Sequence, residues 1–130
     1  MPWSRAMEIT RVIPQLRTTN LDAALDFYTE TLGFTLDFVH GGFYAAVRSG
    51  DFVIHLKLVD APDPSVAFVQ AEDHLHLYLE TPDVSAVATE LTRKGVSLAR
   101  DVHETSWNTR ECVVRDPDGH TLYFGQRLSS

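Results

Sequence analysis

Six histidines are spread along 130 residues, and His55, His74 and His76 lie in runs whose alternation decides what they can face. In HLHLYLE, residues 74 to 80, His74, His76, Tyr78 and Glu80 share one side of a strand, and Leu75, Leu77 and Leu79 share the other. In FVIHLKL, Phe52, Ile54, Leu56 and Leu58 read as core, which sends Val53, His55 and Lys57 to the opposite side. In HTLYFG, Leu122 and Phe124 go inward and leave Thr121 and Tyr123 outward; by the same parity Ile13, Gln15 and Arg17 face outward from the first strand. Imidazoles ligate divalent ions or move protons near neutral pH, and His55 or His76 could serve as a general base. Phenols and indoles add stacking faces with a polar tip.

Other chemistries find less support. Cys112 is the only cysteine, so no intrachain disulfide forms, and nothing beside it points to a lowered thiol pKa. No serine, histidine and acid form a recognisable nucleophile arrangement. HGG and SGD are hairpin turns without a following helix, so they do not cradle phosphate. His103 and His120 lie beside turns and read as solvated loop residues. Trp107, in HETSWNTRE, either plugs the core or rims a cleft or subunit interface. Asp116, Pro117, Asp118 and Gly119 are turn chemistry with no direct role assigned, and Tyr28 and Leu32 read as core.

The elements that must position these residues are written twice. After RTTN, Thr19 or Asn20 can cap a helix in which Leu21, Ala24, Leu25, Tyr28 and Leu32 recur at helical spacing, with Gly33 as its stop. In TPDV, Thr81 or Asp83 can cap a second helix with Val84, Val87, Ala88 and Leu91 as its stripe, and Gly95 ends it. Sliding the chain so that Asn20 falls on Asp83 also puts Leu21 on Val84, Ala24 on Val87 and Leu16 on Leu79. A strand-like run precedes each helix, VIPQLR and LHLYLE. FTLDFV, FYAAVR and DFVIHLKLV follow the first; VSLARDV, RECVVR and HTLYFGQ follow the second, with DPDG closing the last hairpin. The order strand, helix, three strands thus occurs twice, over about residues 8–60 and 72–127, joined by the two-proline link APDPSVAFVQA at 61–71.

Composition bounds the rest. A chain of this length with 44% hydrophobic residues buries one core. A formal charge of −7 repels nucleic acids and anionic membrane surfaces, and no window approaches the roughly 18 apolar residues of a membrane span. MPWSRAM lacks the apolar stretch of a secretion signal and reads as a short loose tail, so the expected location is the cytoplasm.

Taken together, IPQLRTTNLDAALDFYTETLGF, the repeat and RDPDGHTLYFGQ resemble the vicinal oxygen chelate superfamily, which includes glyoxalases, extradiol dioxygenases, fosfomycin-modifying enzymes and bleomycin-resistance proteins; the wording is most similar to the bleomycin-resistance-like branch. The resemblance covers about residues 8 to 127. It implies an α+β fold, two βαβββ modules forming a curled eight-stranded mixed sheet around a cleft, and a homodimer. It also implies four metal-ligand positions, which fall at Ile13, His55, His76 and Tyr123. Isoleucine has no donor, and a phenol with an ordinary pKa near 10 ligates only at a cost. Glu80 or His74 could supply a third donor, each about 7 Å along the strand. Two functions from different classes follow. One is a metal-independent binding protein with no cofactor, holding an aromatic or cationic antibiotic against His55, His76, Tyr78, Trp107 and Tyr123. The other is a metal-dependent lyase, isomerase or dioxygenase acting on a chelating substrate through a divalent metal at His55 and His76.

Overall fold

The capping residues act where the sequence places them. A computed structural model of the chain describes residues 7–129, and the loose tail expected at the N-terminus lies largely outside them. Strand β1 (Gln15–Thr18) leads into α1 (Leu21–Asp26), where Asn20 Oδ1 accepts the Ala23 N–H at 3.0 Å. The helix does not stop at Asp26 but widens into a π-helical turn over Phe27–Thr31, a feature the apolar spacing does not signal. Gly33 then turns the chain at φ +80°. Strands β2 (Thr35–His40), β3 (Tyr44–Ser49) and β4 (Phe52–Leu58) complete the first module.

The link holds a helix that was not expected, α2 (Ser65–Ala71), started by Asp63 Oδ1, which accepts the Ser65 N–H at 2.9 Å, and anchored by buried Val69. The second module repeats the first: β5 (Leu77–Glu80), α3 (Val84–Arg93) capped by Asp83 Oδ1 on the Ala86 N–H at 3.0 Å, then β6 (Arg100–Glu104), β7 (Thr109–Arg115) and β8 (Thr121–Arg127).

The eight strands form two four-stranded mixed sheets with matching orders, β1-β4-β3-β2 and β5-β8-β7-β6. In each, the strand before the helix runs parallel to the module's last strand, with Gln15 opposite His55 and Tyr78 opposite Tyr123. The helix-side residues of both sheets contribute to one core, with Leu16, Ile54 and Leu56 from the first module and Cys112, Val114 and Leu122 from the second. Phe52, expected in that core by alternation, is 81% exposed, because it is the first residue of β4 beside the Gly50 turn and has no helix over it.

Bonds between the modules fix how they meet. Tyr28, fully buried, donates from its hydroxyl to Asp116 Oδ2 at 2.8 Å, Asp118 Oδ1 accepts the Thr19 N–H at 3.0 Å, and Lys94 Nζ donates to the Glu30 carbonyl at 2.8 Å. The faces of the two sheets away from the helices remain open, and they carry the residues with chemical potential.

Candidate functional site

On the open face of the first sheet, strand pairing sets a row of Gln15, His55, Ala46 and Phe38, followed by a row of Arg17, Lys57, Tyr44 and His40. Ala46, with only a methyl group, leaves space for two rings beside the imidazole. Phe38 and Tyr44 meet His55 edge-on, with ring centroids at 5.8 and 5.3 Å. Gln15 Nε2 donates to the Tyr44 hydroxyl at 2.8 Å, and that hydroxyl lies 3.0 Å from His55 Nδ1. Phe38 stays 43% exposed, an apolar ring presented beside a fixed polar chain. One end of this face opens into a groove of about 740 Å³ between Thr10–Val12 and the Gly50–Val53 hairpin, with Arg48 and Val53 in its lining.

The second face is built differently. Tyr78 crosses over Gly125 in β8 and donates to Glu111 Oε2 in β7 at 2.7 Å; a Cβ at residue 125 would lie 1.8 Å from the phenol oxygen. Thr109 donates to the same oxygen at 3.0 Å, so the buried Glu111 carboxylate is held by two hydroxyls. Burial, then the hydrogen bond and charge of Glu111, push the Tyr78 phenol up to about 12. Tyr123 lies beside it with ring centroids 6.3 Å apart, and burial with the charges of Asp73 and Glu111 raises its pKa as well. A pocket of about 130 Å³ is lined by Tyr123, His74, Arg100 and Arg115, among others; this is smaller than the roughly 300–1,000 Å³ of drug-sized sites. Trp107, in the turn between β6 and β7, is 68% exposed and so does not plug the core.

His76 belongs to a third group, near the start of α2. The Thr121 N–H can only donate, so His76 Nδ1, 3.0 Å away, carries the free lone pair, and Nε2 bears the hydrogen shared with Ser65 Oγ at 3.0 Å. Burial, then His120, lowers the His76 pKa and keeps that neutral form. The His120 ring packs edge-on against it at 4.8 Å.

His120 itself corrects the expectation of a solvated loop residue: it is 1% exposed. Its Nδ1 lies 2.7 Å from Asp116 Oδ2, and its Nε2 faces Asp63 Oδ2 at 3.6 Å, too long for a hydrogen bond but close enough for an ion pair. Burial disfavours the imidazolium, yet the Asp116 hydrogen bond and the charges of Asp116, Asp118 and Asp63 outweigh burial and raise the His120 pKa. The turn reading of DPDG holds for Asp116 Oδ1, which accepts the Asp118 and His120 N–H groups at 3.0 and 2.9 Å. Its other oxygen joins the two modules.

The structure therefore brings Tyr78 and Tyr123 together and leaves His55, His76 and Trp107 in separate surroundings. Among the described residues, no hydrogen bond or ring contact links His55 to His76. The four implied ligand positions do not fit a divalent ion: Ile13 has no donor, the Tyr123 phenol is held neutral, and the His76 lone pair is taken by a backbone amide. Asp116, Asp118 and His120 do place donor atoms within 4.8 Å of one another. Both Asp116 oxygens there already accept two hydrogen bonds each, and His120 Nδ1 is one of the donors.

A family model described as the Glyoxalase/Bleomycin resistance protein/Dioxygenase superfamily matches residues 9–124. The chain belongs to this superfamily. An uncharacterized protein from Mycolicibacterium smegmatis is 34% identical over 110 residues, covering 84% of this chain and 86% of that protein. Among solved structures, the bleomycin-binding protein of Streptomyces verticillus, complexed with copper(II)-bleomycin, is 25% identical with a TM-score of 0.71, over 96% of this chain and 100% of that one. TnmS3, an antibiotic binding protein from Streptomyces sp. CB03234, is 28% identical with a TM-score of 0.74, over 94% and 99%. No described helix is long and apolar enough to cross a membrane.

Sequence reading missed Phe38, Tyr44 and Glu111. Parity alone would have placed Tyr44 and Phe38 on the face of His55, given the register of three strands. Nothing short of that register shows that Tyr78 reaches Glu111 across a glycine.

Proposed function

We propose that this protein is a metal-independent binding protein that sequesters an aromatic small molecule of the antibiotic class, acting as a homodimer. The observation that carries the reading is the row on the first sheet, where Phe38 and Tyr44 flank a hydrogen-bonded His55 on an open face. An aromatic face with a few fixed polar groups is the usual make-up of a small-molecule site, whereas catalysis by a bound ion needs converging donors that this face lacks. The antibiotic-binding relatives at 25% and 28% identity support the class of ligand. A second copy fits the reading because each face is shallow by itself, and Phe38, Tyr78 and Trp107 stay exposed until another surface or a ligand covers them.

Titration with metal-free bleomycin tests the proposal, using protein purified without chelator or histidine tag and with Trp3 replaced by Phe so that Trp107 reports alone. The expected result is saturable quenching at micromolar ligand, unchanged by EDTA, with a thermal shift that grows with ligand concentration. Near-stoichiometric zinc, iron, manganese or nickel that is lost on His76→Ala would sink the reading, and so would absence of both quenching and thermal shift. Size-exclusion chromatography with light scattering checks the dimer.

A further inference from the structure

We propose that His55 is held in a single tautomer that presents an N–H to the ligand, so that the first-sheet face selects aromatic molecules carrying an oxygen acceptor, such as a carbonyl, carboxylate or sulfonate, over aromatic cations. This rests on the binding reading above and narrows it. Gln15 Nε2 can only donate, so the Tyr44 oxygen accepts from it at 2.8 Å. We assign the one hydrogen of the Tyr44 hydroxyl to His55 Nδ1, 3.0 Å away, which then carries the free lone pair. The hydrogen of the neutral imidazole is left on Nε2. That atom has no protein partner among the described residues and is not among the buried unpartnered atoms, so its N–H is free to meet a ligand.

The surroundings agree with an acceptor. Phe38 and Tyr44 stand edge-on to the imidazole and hold its plane. Lys57, beside Tyr44 in the next row, has no ion-pair partner among the described residues, and Arg48 lies one row to the other side, 3.7 Å from Asp37. A cation placed on this face meets the unpaired Lys57 ammonium and an outward N–H. An oxygen acceptor meets a donor in fixed position, which is the arrangement that rejects ligands lacking the matching group.

Two measurements test this separately. In protein with nitrogen-15-labelled histidine at pH 8, long-range proton–nitrogen correlation spectra, with His55→Ala for assignment, should show His55 with Nδ1 unprotonated and Nε2 protonated. Tyr44→Phe should turn it into a tautomer mixture. A predominantly Nδ1-protonated His55 overturns the proposal whatever the protein binds. In the second measurement, fluorescence titration compares 8-anilinonaphthalene-1-sulfonate, an aromatic sulfonate, with thioflavin T, an aromatic cation. The sulfonate should bind more tightly and lose about tenfold in affinity in Tyr44→Phe and in His55→Phe, the worth of one hydrogen bond. Equal or tighter binding of the cation, or unchanged sulfonate affinity in both variants, refutes the selectivity. If neither probe nor bleomycin binds, the binding reading fails and the selectivity falls with it, while the tautomer stands or falls by its own spectrum.

Discussion

Replacing Tyr28 by Phe removes one hydroxyl and leaves the ring packing of a fully buried side chain unchanged. That hydroxyl is the buried bridge between the two modules, 2.8 Å from Asp116 Oδ2 and spanning 88 positions of sequence. A hydrogen bond to a charged acceptor contributes about 1.5–3 kcal/mol, and no cavity of consequence opens in the variant. Asp116 Oδ2 also keeps its contact with His120 Nδ1 at 2.7 Å, so the lower end applies: Tyr28→Phe should lower the unfolding free energy by about 1.5 kcal/mol, roughly tenfold in the folding equilibrium. Asp116→Asn disturbs all four hydrogen bonds at that carboxylate and leaves His120 only Asp63 as an anionic partner in contact, at about 3–5 kcal/mol. Urea unfolding at pH 7 measures both, with the m-value as a check that the native state is intact. Because the hydroxyl and the carboxylate act on each other, Tyr28→Phe should cost about 1 kcal/mol less in the Asp116→Asn background than in the wild type. A single-variant loss below about 0.5 kcal/mol, or equal losses in both backgrounds, would refute the bridge as a contributor to stability.

The two edge-on histidines, His76 and His120, make opposite predictions about pH. His120 has a raised pKa, so its stabilisation is complete below the unfolded value of 6.5 and is lost as pH rises through the folded value. The slope is at most about 1.4 kcal/mol per pH unit, and His120→Gln should lack that decline. His76 has a lowered pKa, so its contribution is present above 6.5 and is lost as pH falls through the folded value; His76→Gln should lack that acid-side loss. Urea midpoints from pH 5 to 9 read both, and a His120→Gln profile parallel to wild type on the alkaline side rules out the ion pair. Gly125→Ala must swing Tyr78 off Glu111, because the added Cβ would sit where the phenol lies. Ultraviolet titration of tyrosinate should then show one phenol moving from about 12 toward its ordinary range, with a loss of about 1 kcal/mol in stability. An unchanged titration curve would mean that Tyr78 does not lie across the glycine.

Elements defined by local chemistry are the ones that the sequence makes legible. The caps at Asn20 and Asp83 and the period-two strands depend on neighbours within a few residues, and both modules follow from them. Alternation fails at Phe52, since an inward parity gives burial only where something lies on that side of the strand. His120 fails for a related reason. DPDG is a turn by every local rule, and turns usually meet solvent, but Tyr28 from the other module and Asp63 from the link close over this one. The two-proline link reads as a connector because its helix has only seven residues and takes its stability from packing. At the site, strand parity correctly gives which residues look away from the helices, while the partners Tyr44, Phe38 and Glu111 depend on register between strands.

The repeat also makes the difference between the two open faces meaningful. Equivalent rows cross both sheets: Gln15, His55, Ala46 and Phe38 in the first, Tyr78, Tyr123, Val113 and Arg100 in the second. In the second row the hydroxyl of Tyr78 is turned sideways onto Glu111, so that position presents an aromatic surface whose hydrogen is already donated. Beside the first row the hydroxyl of Tyr44 lies 3.0 Å from His55 Nδ1, and the proposed tautomer leaves an imidazole N–H open on the far side. One module has thus spent its polar group on its own sheet, and the other has relayed it outward. A ligand covering both kinds of face would stack on the second and be oriented by the first. Such division of labour requires the two faces to meet, and one chain alone does not bring His55 to the tyrosines of the second sheet. In the proposed homodimer, the first face of one copy opposite the second face of the other would let one ligand meet both.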